Sequence, residues 1–145
     1  MNILIIDAQG GGVGRQLVLA IRARFPDADV TAVGTNVAAT SAMMKAGASR
    51  AATGENAVVV CSRKADVIVG AIGIVIADAM LGEITPRMAA AVAQSGAKRI
   101  LLPVSHCDNI VAGVQGQTVA RLVDAAVQEL EKLQEGSCCG AGSTV

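Results

Sequence analysis

The chain has 145 residues, 12 of them basic and 12 acidic, and 52% are hydrophobic, with one Phe and no Tyr or Trp. That length suits one domain burying roughly two thirds of its unfolded surface. Cancelling charge and the lack of stacking aromatics argue against a nucleic-acid partner, and the longest uncharged apolar run, residues 67–77, falls far short of the ~20 residues a bilayer span needs.

The first strand is expected over residues 3–7, ILIID, with no basic leader segment before it, so a cytoplasmic location is expected. Glycines follow at positions 10, 11, 12 and 14, and helical periodicity runs over residues 12–24 until Pro26. A strand, a glycine-rich turn and a helix N-terminus form an anion site, because unpaired amides and the helix dipole favour negative charge. Residues 29–33 form the second strand, closed by Gly34, Thr35 and Asn36. Asn36 suits the N-cap of a second helix that stops at Gly47. Residues 49–52 give a short third strand, and residues 57–64 a crossover helix, despite their AVVV run, since the next strand must pair in parallel.

The fourth strand is expected at 66–70, entering a loop at 71–73, while 74–81 reads equally as a short helix or an extended segment. Thr85 and Pro86 start the next helix, which ends before Gly96. Residues 100–104 form the fifth strand and 109–114 are a candidate short edge strand. The last helix spans about 117–133, with Val119, Leu122, Val123, Ala126, Val127, Leu130 and Leu133 on one apolar stripe. Residues 1–134 are therefore expected to form the domain, and the tail 135–145, rich in Cys, Gly and Ser, to be disordered. Strand–helix alternation this regular predicts a single doubly wound parallel α/β sheet, Rossmann-like, in order 3-2-1-4-5 with helices on both faces.

In such sheets ligands bind outside the carboxyl ends of the strands. Gly10, Gly11, Gly12, Val13 and Gly14 follow the first strand, Thr35 and Asn36 the second, and Gly70 and Gly73 close the fourth. These are the candidate cofactor-binding residues. Gly12 and Gly14 resemble the second half of the GxxxGxG of short-chain dehydrogenases, with Ala8 in place of the first glycine; the absence of tyrosine excludes their Tyr-x-x-x-Lys chemistry. Residues 11–16, GGVGRQ, also resemble the phosphate loop of ParA-like ATPases, but Arg15 replaces its lysine and Gln16 its Mg²⁺-binding hydroxyl. A dinucleotide site usually places an acid at the end of the second strand; here Thr35 and Asn36 stand there, able to hydrogen-bond a ribose or a 2′-phosphate, with no arginine beside them, or simply to cap the helix.

Asp78, Glu83 and His106 are the candidate catalytic groups. His106 is the single histidine, with a pKa near 6.5 when unperturbed. Cys107 beside it needs a depressed pKa to act as a nucleophile. Asp78 lies in an apolar run where burial would demand a partner, or else faces solvent, and Glu83 precedes a helix start. Cys61, Cys107, Cys138 and Cys139 show neither a disulfide framework nor a CxxC metal spacing, so no metal is expected.

The loop AQGGGVG, together with TAVGTNVAATSAMMKAGA, ATGENAVVV and IGIVIADAMLGEITPRMA, resembles a family of small bacterial proteins with no established activity. The resemblance covers about residues 1–114 and implies a small Rossmann-like domain without specifying a reaction. The leading expectation is a nucleotide-binding protein taking NAD(P) or another phosphate-bearing nucleotide, as a small oxidoreductase or a sensor, and forming a homo-oligomer. One alternative is an enzyme acting on a phosphorylated or CoA-linked metabolite through Asp78, Glu83 or His106. The other is a non-catalytic interaction module whose glycine turn serves only the fold.

Overall fold

The first strand, β1 (Asn2–Asp7), is buried over all but its first residue, which an unbroken aliphatic run requires. In the computed structural model, which describes residues 1–104 and 109–139, β1 is the centre of a five-stranded parallel sheet. Its neighbours are β2 (Asp29–Gly34) and β4 (Val67–Ala71), with β3 (Arg50–Thr53) and β5 (Lys98–Leu102) at the edges. The order β3-β2-β1-β4-β5 is the expected one.

Alternation along β1 sorts two cores. Ile3 and Ile5 face α1 (Gly12–Arg24), α2 (Val37–Lys45) and α5 (Val119–Cys139), packing with Leu17, Ile21, Met43 and Leu130. Leu4 and Ile6 face α3 (Glu55–Lys64) and α4 (Pro86–Gln94), packing with Val58, Ile84, Met88 and Val92. The crossover rule thus resolves the AVVV run as helix, and Val58 and Val59 are buried there. Asn36 caps α2 by accepting the Ala39 amide at 2.9 Å, and the Thr85 hydroxyl caps α4 by accepting that of Met88 at 3.1 Å. No described helix is long and apolar enough to cross a membrane.

Five expectations are corrected. The fifth strand spans Lys98–Leu102, two residues earlier than expected. The third strand starts at Arg50, one residue later than read, because the Ser49 amide and hydroxyl instead bond across to Val30. Residues 109–114 form no strand; their amides make a turn, Val114 N–H to Val111 O at 3.4 Å. Residues 74–81 are neither a regular helix nor extended: a 3-10 turn, Ile72–Val75, leads into tight turns in which Asp78, Met80 and Leu81 take positive φ. The final helix does not stop at 133 but runs to Cys139, so residues 135–139 of the expected tail are helical, and residues 140–145 lie outside the described residues. Gly136 disfavours helix without ending it, and the Ser137 hydroxyl donates to Leu133 O at 3.0 Å within that turn.

Candidate functional site

β1 ends on an acid. Asp7 is only 5% exposed, so its carboxylate has to find donors inside the protein. It finds them in the turn it precedes: Oδ1 accepts the Ala8 amide at 2.8 Å and Oδ2 the Gly14 amide at 2.6 Å. Burial raises the Asp7 pKa above its ordinary value; these two amides oppose the shift, and the nearby Glu83 charge adds to it. Gly11, the N-cap residue of α1, offers no side-chain cap, and Asp7 supplies one from the strand below.

The glycines divide by task. A Cβ on Gly14 would lie 2.8 Å from Asp7 Cβ and 2.5 Å from Met43 Sδ, so α1 sits this close to β1 only without one. Gly11 has φ +73°, and a Cβ there would lie 2.7 Å from the Ala39 Cα of α2. Gln9, at φ +52°, makes the first sharp bend. Positions 9, 11 and 14 carry the spacing of a GxGxxG turn, with glutamine in the first place. Gly10 and Gly12 have open space where a Cβ would be.

That open space belongs to a cavity of about 350 Å³ at the carboxyl ends of β1, β4 and β5. Gly10, Gly11, Gly12 and Val13 form one wall, and Ile72, Gly73, Ile76 and Met80 another. Val104, Val111 and Val114 close the third side. The cavity lies between β1 and β4, where the strand order reverses, the crevice that doubly wound sheets use for ligands. The first amides of α1 have no intrahelical acceptor and open toward this end of the fold. Among the described residues, Asp7 is the one ionisable side chain lining the cavity. Gly70 does not line it; a Cβ there would lie 2.7 Å from Ile6 O, so this glycine serves the β1–β4 contact.

Thr35 and Asn36 lie on the other side of the glycine turn, already engaged. The Glu83 carboxylate reaches across from the segment before α4. Its Oε1 accepts the Thr35 hydroxyl at 2.9 Å and the Asn36 amide nitrogen at 2.7 Å, and both its oxygens face the Gln9 amide, at 3.2 and 3.1 Å. Partial burial pushes the Glu83 carboxyl up, but the bonds from Asn36, Thr35 and Gln9 together outweigh it and hold the group below its ordinary value. Asn36 also donates to Gln9 O at 3.0 Å, tying the first and second loops together.

The three candidate catalytic residues are not brought into one group. Asp78 is exposed and takes part in its turn through its backbone: its amide donates to Ile84 O at 2.8 Å. Glu83 lines the β2 end and not the cavity. His106, with Cys107 and Asp108, lies outside the described residues. No group of three or more His, Cys, Asp or Glu positioned for a metal occurs among the described residues. Asp7 and Gln9 were not picked out from sequence. Their signals were the lone acid closing an apolar strand and the place of Gln9 two residues before Gly11.

A second cavity, about 480 Å³, lies at the opposite end of the strands between Leu4, Thr31 and Ala52 and the α3 residues Cys61 and Lys64. Its one arginine, Arg50, is paired with Asp29 at 2.6 Å.

The chain belongs to the family described as Domain of unknown function (DUF3842), whose profile matches residues 2–135. The resemblance carried by its loop segments is thus membership of a family without an assigned activity. No curated protein matches it. Among solved structures it is similar to saccharopine dehydrogenase (L-Glu forming) from Saccharomyces cerevisiae, at 15% identity and TM-score 0.46, over 87% of this chain. The chain spans about a quarter of that protein's length, 24%. It is also similar to a dodecameric FMN-dependent Ubix-like decarboxylase from Escherichia coli O157:H7, at 16% identity and TM-score 0.46, over 90% of this chain and 76% of that one.

Proposed function

We propose that this protein binds a nucleotide-type ligand, of the NAD(P) class, across the carboxyl edge of its sheet. The observation that carries the reading is the cavity at the β1–β4 reversal, lined on one side by Gly10, Gly11, Gly12 and Val13 and otherwise mainly by aliphatic residues. Backbone amides at a helix start suit phosphate oxygens, and an aliphatic chamber suits a flat ring.

No Lys or Arg lines the cavity among the described residues, and the Asp7 carboxylate lies beneath the turn. Gln9 lines the cavity and also bonds Glu83, so the cavity and the β2 end adjoin as two ends of one elongated site. A homo-oligomer belongs to the same reading, supported by Leu81 and Ile110, each almost fully exposed near the cavity walls.

Native mass spectrometry of freshly purified protein, with identification of whatever denaturation releases, tests the proposal. Co-purified NAD, NADP or a related nucleotide is the expected result. A bare chain that also fails to respond to these ligands in thermal-shift titration sinks it and leaves the interaction module, in which the turn serves only the fold.

A further inference from the structure

We infer that Glu83 is the carboxylate that receives the adenosine ribose, and that it makes the site selective for NAD over NADP. The inference rests on the dinucleotide reading above and gives it a subsite and a ligand preference. Dinucleotide sites hold the ribose hydroxyls with an acid at the end of the second strand. β2 ends instead in Gly34, Thr35 and Asn36, which carry no charge. The fold delivers one there from another segment, because Thr35 and Asn36 both bind the Glu83 carboxylate.

The two oxygens of that carboxylate are unequally used. Oε1 accepts from Thr35, Asn36 and Gln9, which fills it. Oε2 accepts only the shared Gln9 amide at 3.1 Å, so it retains acceptor capacity for a hydroxyl donor. A ribose diol donates; a 2′-phosphate brings negative charge against an ionised acid and is repelled.

The segment that carries Glu83 is built to hold it in place. Ile84, the next residue, is fully buried, and its amide donates to Ala79 O at 3.2 Å while its carbonyl accepts the Asp78 amide. Asp78, Met80 and Leu81 adopt φ of 63°, 58° and 58° within this turn, backbone that side chains seldom take and that costs energy to hold. Val37, next to Asn36 in the chain, is 71% exposed. Such apolar surface suits the faces of a purine.

The test is calorimetric titration of the full chain with NAD and with NADP, on wild type, Glu83→Gln and Glu83→Ala. Glutamine keeps through its oxygen an acceptor for Thr35, Asn36 and Gln9, while the NH2 in place of Oε2 can no longer accept from Gln9 or from a ribose hydroxyl; thermal melting verifies that the variant is folded. Wild type should prefer NAD by about tenfold or more, the weight of a hydrogen bond to a charged group, and Glu83→Gln should remove most of that preference. Equal affinity of wild type for the two ligands, or a preference that survives Glu83→Gln, overturns the ribose assignment and leaves dinucleotide binding standing. Tighter NAD binding by Glu83→Ala than by wild type also overturns it, since the carboxylate would then occupy the ligand's place. Binding of neither ligand to wild type overturns both readings.

Discussion

Asp7 Oδ2 accepts the Gly14 amide at 2.6 Å, so the acid that closes the central strand is also the cap of the helix that follows it. The bond ties together strand end, glycine turn and helix start, and it depends on Gly14 having no side chain.

Gly14→Ala should therefore destabilise the fold. Its Cβ would meet Asp7 Cβ at 2.8 Å and Met43 Sδ at 2.5 Å; the thioether can swing aside, but the strand end cannot. Overpacking of this kind costs about 1–3 kcal/mol. Urea denaturation measures it, and a midpoint equal to wild type would mean that β1 and α1 separate without penalty.

Gly12→Val separates ligand from fold. A Cβ at Gly12 meets nothing within 4 Å, yet Gly12 lines the cavity. Circular dichroism should be unchanged, while the thermal stabilisation given by a bound dinucleotide should disappear. Retained stabilisation would move the ligand away from the glycine turn.

Acid should weaken the tie between Glu83 and the β2 end. The folded-state pKa of Glu83 lies below its ordinary value of 4.5. Its contribution to stability is therefore complete above that value and is lost as pH falls through the depressed one. The stability difference between wild type and Glu83→Gln should shrink as denaturation is repeated from neutral pH to below 4.5. Asp7 has the opposite sign: its raised pKa means that the folded state gains as pH falls through that value. A wild-type advantage over Glu83→Gln that grows with acid would contradict the assignment for Glu83.

Leu130→Ala tests whether α5 is part of the core. Leu130 is fully buried in the cluster with Ile3, Leu17 and Ile21, and truncations of this kind cost about 2–5 kcal/mol. A loss below about 1 kcal/mol would show α5 to be dispensable packing.

The sequence by itself determined the sheet. An apolar run bounded by a glycine turn can bury both faces only as a central parallel strand, so ILIID placed β1, and helical periodicity placed α1 and α5. Local chemistry likewise fixed Asn36 and Thr85 as caps, since a short polar side chain at a helix start satisfies amides only a few residues away. The right-handed crossover rule decided α3 against the β propensity of its valines.

Tertiary structure alone decided what meets at the carboxyl edge. Glu83 and Asn36 are 47 residues apart in the chain, and no spacing rule joins them; their contact arises because the turns of residues 76–84 fold back over the first loop. The same distance effect hid the role of Asp7, which seven positions before Gly14 reads as the end of a strand. Periodicity reports which side of an element is buried, and it carries no record of which loops converge once the elements are packed. The final helix shows the complement: its stripe ended with the core contacts near Leu133, but hydrogen bonding along the backbone carried the helix on to Cys139.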